Sequence, residues 1–368
     1  MKINLKLFDI RLALFLSFVF ILITNSYFTF EESLKFGASD GADYYLIADS
    51  YNNIPHETLA YHKAWRFIVP IFVGIIAESF NLETYFVFRI LVVISCLSLI
   101  VFFFKILKKL KIKNFHIFFL TSLIIFNPYL FRYFLASPTM INDLLFINAG
   151  LLIVLSIIKN NKNILYVGFF LATITRQNAI FYLLSILIVK FIFKNNSFIK
   201  YKDLCLVSIL TLFIFFINNM FANHYTDYND TYSLFYRFNI FVFNYSLLDF
   251  IKYNLFPLII LLPLILYIIF EKDFLTIKKI RTELFSIILL MVIFVTSVAY
   301  VGGPMVTGKN LIRLINLSYP LIILLLVLPF ELKKNKNNFL KYIFYTPLFA
   351  IWSLHPTFSN IKSYLFEF

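Results

Sequence analysis

Charge is what this chain has least of. Only 14% of its 368 residues are Asp, Glu, Lys or Arg, where a soluble domain carries about 25%, and mean hydropathy is +0.85. An ordinary water-soluble enzyme is thereby excluded, and an integral membrane protein is the class that remains. Cysteine is scarce as well. Cys96 and Cys205 lie far apart in or beside apolar blocks, so they build neither a disulfide framework nor a thiolate metal pair. Tryptophan occurs twice against 49 phenylalanines. With Ile, Asn and Lys also abundant, that pattern suits an AT-rich genome and points to no function. No P-loop, dinucleotide-binding glycine pattern or nucleophile elbow is present, so nucleotide-driven chemistry has no support. His56-Glu57 followed by His62 misses the His-Glu-x-x-His spacing of a zinc helix. No soluble tail, linker or internal repeat appears, and 1–368 reads as one polytopic domain.

What is abundant is apolar sequence in membrane-length blocks. These run over 12–30, 85–104, 115–131, 141–158, 164–175, 178–193, 204–221, 254–270, 284–301, 311–330 and 339–354. At roughly 20 residues per span they predict an all-α bundle of about 11 transmembrane helices. The first block is read as an uncleaved helix rather than a signal peptide, because its apolar part is long and no small-residue cleavage site follows. The halves around Arg176 are short, and one span plus a re-entrant piece is the alternative there. Segment 67–79, with Pro70 and Glu78, is too short to cross and is placed at the interface.

Basic residues outnumber acidic ones 33 to 19, for a net charge of +14. They sit in short links such as Lys105–Lys113, which is positive-inside topology rather than a nucleic-acid footprint. The expected protein is multi-pass, in a bacterial inner (plasma) membrane, with Lys2, Lys6 and Arg11 of its N-terminus in the cytoplasm. This places 31–84 outside as the first outer loop with interfacial amphipathic helices, 222–252 as the second, and Gly302–Arg313 as a third.

The first outer loop is the longest polar interruption and holds Glu31, Glu32, Asp40, Asp43, Asp49 and Glu57. Read as a helix, Asp40–Tyr51 puts Asp40, Asp43, Tyr44, Ile47, Ala48 and Tyr51 on one face and Asp49 on the other. A carboxylate on the aromatic face is partly desolvated and becomes a stronger base. Helix capping by Ser39 or Asp40 is the other reading, and the two are compatible. Ionisable residues at or within spans are costly and mark function. Arg89, Arg132, Arg176 and Arg313 all fall at outer span ends, where an arginine forks onto phosphate or snorkels to headgroups.

The run Asp40-x-x-x-Tyr44-x-x-x-Ala48, then His62, Pro70 and Arg89, resembles the GT-C superfamily of membrane glycosyltransferases. The branch is that of protein O-mannosyltransferases and the aminoarabinose lipid A transferase, which carry D-E-x-x-Y-x-x-x-A after the first span and a downstream His-Pro-Pro. Here Gly41 stands in place of the Glu, and Lys63-Ala64 in place of the two prolines. The resemblance covers about 28–180, with an echo near 302–320. It implies a GT-C-like bundle with its site on the non-cytoplasmic face, a polyprenyl-phosphate sugar donor, inverting transfer, and a lipid, glycan or protein acceptor. It further implies Asp40, aided by Asp43, as catalytic base, and Tyr44, His62, Arg66, Asp143, Arg176 and Arg313 as substrate contacts. No organic cofactor and no metal ligand follow, and divalent metal use is left open. Two other classes stay open: an O-antigen-type polymerase or ligase relying on outer-loop arginines such as Arg237, and a transporter with broken helices.

Overall fold

The computed structural model describes residues 10–24, 29–35, 40–56, 58–193, 199–226, 261–269, 275–277, 282–307 and 311–332. Arg237 and the predicted span 339–354 lie outside them, as do Glu57 and most of the second outer loop.

Helices carry the described fold. The sole strands among the described residues are Leu275–Ile277 and Phe330–Leu332, paired antiparallel. The centre is α9 (Ile141–Lys159), buried along nearly its whole length. It packs against α6 (Thr84–Lys109) and against α10 (Lys162–Thr175). The α9–α10 turn is written locally. Asn160 adopts the left-handed conformation (φ 51°) that ends α9, and Asn161 caps α10 by accepting from the Asn163 and Ile164 amides. Close approach of the two helices needs Gly168, where a Cβ would come within 2.9 Å of Ile153. Polar glue joins α9 to α6, since Asn148 donates to the Ser95 carbonyl at 3.0 Å.

Among the described residues three helices are long and apolar enough to cross a membrane: α6, the stretch Pro138–Lys159 containing α9, and α12 (Tyr201–Tyr225). A fourth candidate is a bent pair, α7 (Asn114–Ile125) with Pro128–Ala136, turned by 41°. The sequence reading predicts about 11 spans; the described helices do not carry that number. The reason is length. Helices α10 and α11 (Ala179–Ile192) have 14 residues each, and α5 (Ile68–Ser79) has 12, so each is about 18–21 Å long against an apolar core of about 30 Å. Predicted block 311–330 likewise splits into α14 (Leu311–Asn316) and α15 (Tyr319–Val327). Block 284–301 lies within α13 (Thr282–Thr307). Blocks 164–175 and 178–193 are two helices around Arg176; α10 lies on α9 and α11 on α13.

The outer faces are apolar. Phe86, Ile90 and Ile94 form an exposed stripe on α6, and Ile209, Leu212, Phe213 and Phe216 another on α12. Contiguous surface of this kind is disfavoured in water and accepted by lipid.

The loop predicted to lie outside, 31–84, forms α2 (Phe30–Lys35), α3 (Asp40–Asp49), α4 (Tyr61–Ala64) and α5. Thr29 and Glu32 make a reciprocal capping box at the start of α2. On α3 the predicted face is the buried one: Tyr44, Ile47 and Ala48 are closed off while Asp49 is exposed. Asp49 is held there by Thr84, whose hydroxyl donates to it at 3.0 Å, tying α3 to the start of α6. Helix α5 crosses α3 at Gly74 and buries Val69, Val73 and Ala77 while leaving Phe72 and Ile75 outward. On the other side, Trp65 and Phe67 pack on Phe215 and Phe221 of α12.

Candidate anion site at Asp143

Asp143, in the first turn of α9, is fully buried. Its carboxylate is met from three directions. The Nη1 of Arg176, in the α10–α11 link, donates to Oδ1 at 2.5 Å. The Nε of Arg313, on α14, donates to Oδ2 at 2.7 Å. Arg66, just after α4, stands with Nη1 at 3.8 Å from Oδ1 and donates from that same atom to the Tyr44 hydroxyl at 2.8 Å. All three arginines are buried. Elements far apart in sequence thus meet at the end of α9 where α3 and the Pro138–Met140 turn pack.

Burying one charge without partners costs far more than a pair returns, so a buried carboxylate gathers cations. Here three guanidiniums share one carboxylate among the described residues. Each guanidinium has five N–H donors, and the Nε of Arg66 and of Arg176 are buried without an acceptor among the described residues. Forks of this geometry fit carboxylate or phosphate oxygens. A metal ion at Asp143 would instead sit among three cations. Among the described residues there is no group of three or more His, Cys, Asp or Glu side chains placed to hold a metal.

Two neighbouring features shape the site. Tyr182 of α11 seats its ring on Phe146 at 4.6 Å between centroids, in a space left by Gly150, where a Cβ would lie 2.8 Å from the phenol oxygen. The 41° bend is made at Asn127-Pro128. Buried Asn127 accepts from the Tyr129 amide and donates to the Asn316 side chain at 2.7 Å, three residues beyond Arg313. A π-helical turn follows over Pro128–Arg132, a conformation frequent at functional sites.

Of the residues predicted from sequence, Tyr44, Arg66, Asp143, Arg176 and Arg313 come together. Asp43 does not point its charge into this cluster; it pairs with Lys63 at 3.1 Å and is partly exposed. His62 is exposed on α4. Asp40 opens α3, and its side chain lies outside the described residues. Arg89 stacks over Tyr85 of its own helix at 4.8 Å. Beside the cluster, burial and then Asp49 and Glu83 push the Tyr45 phenol above its ordinary value, keeping it a neutral donor. Asn127, Asn316 and Tyr182 were not anticipated. An Asn-Pro step inside an apolar block is a break signal that marks the first of them.

No protein-family model, curated protein or solved structure matches the chain.

Proposed function

We propose that the chain is an integral membrane glycosyltransferase of the GT-C type. It moves a sugar from a polyprenyl-phosphate-linked donor to a lipid, glycan or protein acceptor on the non-cytoplasmic face of a bacterial inner membrane, within a bundle of about 11 spans. The observation that supports it is the buried meeting of Arg66, Arg176 and Arg313 at Asp143, with two Nε donors to spare. Donors so arranged suit the oxygens of a lipid phosphate and the charge that develops on it as it leaves.

In this reading Asp40, with Asp43 nearby on α3, takes the proton of the acceptor hydroxyl. The acceptor oxygen bonds the anomeric carbon as the bond from that carbon to the phosphate oxygen breaks, and the electron pair leaves with the lipid phosphate. A single displacement inverts the centre. Phosphate leaves without a general acid, so one base suffices. The test is transfer in proteoliposomes from a panel of polyprenyl-phosphate sugars, wild type beside Asp40→Asn. Transfer lost with donor binding kept is the expected outcome. Transfer at the wild-type rate would remove Asp40 as base.

One observation favours a second reading. Helix interruptions at Asn127 and at Arg176, both with polar or charged groups at the break, are what a transporter site uses. Solute counterflow in liposomes, with no transfer from any lipid-linked sugar, would select it.

A further inference from the structure

We infer that Asp143 is the resident counter-ion of this anion site: it holds three arginine-bearing segments in place and competes with the phosphate for them, so it weakens anion binding. The inference rests on the anion reading above and adds the role of the one acid found inside it among the described residues.

Both oxygens of Asp143 are already taken, Oδ1 by Arg176 and Oδ2 by Arg313. It is therefore not placed to accept a proton from an acceptor hydroxyl, and its neighbours are cations rather than co-ligands for a metal. What it does is cross-link. Arg66 arrives from the outer loop, Arg176 from the α10–α11 link and Arg313 from α14, and α9 supplies the shared carboxylate. The donors are not used up by it. Among the described residues the buried Nε groups of Arg66 and Arg176 have no partner, so the guanidiniums can meet more acceptor oxygens than a carboxylate carries. Arg66 is the least committed of the three, at 3.8 Å from Asp143 and with its hydrogen bond to Tyr44. A phosphate brings more oxygens than Asp143 offers and meets the same guanidiniums, so each occupant loosens the hold on the other.

The experiment uses the full chain in nanodiscs of zwitterionic lipid. Melting temperature is followed against inorganic phosphate in one arm and a short-chain prenyl phosphate in the other. A response to the prenyl phosphate alone assigns the site to lipid-borne phosphate, and a response to both assigns it to phosphate in general; variants are compared in whichever arm responds. Asp143→Asn is expected to melt lower than wild type without anion and to bind phosphate at least ten-fold tighter. Binding as weak as wild type, or weaker, overturns the inference, and sugar transfer that persists beside it leaves the glycosyltransferase reading intact. Should Asp143→Asn not fold, Arg66→Gln decides. Its anion-free melting temperature is expected to fall to about that of Tyr44→Phe, since both lose the Arg66–Tyr44 hydrogen bond, while its phosphate-induced shift falls by more than half. A lower melting temperature with an undiminished shift overturns the inference. No shift for wild type in either arm removes the anion reading itself, and this inference with it.

Discussion

A buried guanidinium is only as well placed as its second partner. Arg66 lies too far from Asp143 for a hydrogen bond, at 3.8 Å, and is oriented through the Tyr44 hydroxyl at 2.8 Å. Tyr44→Phe keeps the ring that fills the α3 face and deletes only that acceptor. Hydrogen bonds to charged groups contribute about 1.5–3 kcal/mol, so the variant should lose stability of that order in a denaturation series. Tyr44→Ala should lose about 3–5 kcal/mol, because the buried ring goes too. Equal melting of Tyr44→Phe and wild type would mean that the hydroxyl does not hold the arginine. Which carboxylate does what was only partly legible at this scale. Helical periodicity singled out the Tyr44 face of α3, which is closed off as expected. It also placed Asp43 on that face, yet Asp43 is partly exposed and pairs with Lys63 at 3.1 Å. The partly buried Lys63 of α4 decides which way the carboxylate turns.

At the scale of elements, α3 is located by a backbone contact. A Cβ on Gly74 of α5 would come 2.1 Å from the Ala48 carbonyl oxygen and 2.8 Å from the Tyr51 ring. The backbone atom cannot rotate away, so Gly74→Ala must push α3 off α5. Overpacking of this kind costs about 1–3 kcal/mol, and the proposed sugar transfer should fall with it, because α3 carries Asp40, Asp43 and Tyr44. Full activity and unchanged melting in Gly74→Ala would show that α3 has slack the contact does not suggest. Long uniform helices such as α6 and α12 were legible from length and hydropathy alone. The breaks left only local signals, the Asn-Pro step at 127–128 and the short halves around Arg176, and their partners left none. The block at 115–131 reads as one apolar run, but Asn127 caps a new segment and spends its amide on Asn316. That bond joins residues 189 apart in sequence, and no local pattern encodes it. The same holds for the arginines. Sequence put Arg176 and Arg313 at the ends of apolar blocks and Arg66 in the 31–84 loop, but only packing brings the three to one carboxylate.

For the whole molecule, charge is sorted along the helix axes. Helix α9 has Asp143 in its first turn and Lys159 in its last, and α6 runs from Thr84, bonded to the outer-loop Asp49, to Lys108 and Lys109. With 26 residues, α6 is about 39 Å long, more than the roughly 30 Å of an apolar core, so its two ends must face opposite sides if it crosses. The positive-inside rule puts the lysine end in the cytoplasm and the Asp143 cluster outside. Thiol labelling checks this cleanly, because Cys96 is buried and a Cys205→Ser background removes the exposed cysteine. On that background Asn53→Cys, exposed in the outer loop, should react in intact cells with a membrane-impermeant maleimide. Lys109→Cys, exposed at the far end of α6, should react only after permeabilisation. The reverse pattern would put the arginine cluster on the cytoplasmic face, where a donor sugar facing outward could not reach it. Labelling of both in intact cells would mean that α6 does not cross, and the apolar stripe of Phe86, Ile90 and Ile94 would then need a protein partner rather than lipid.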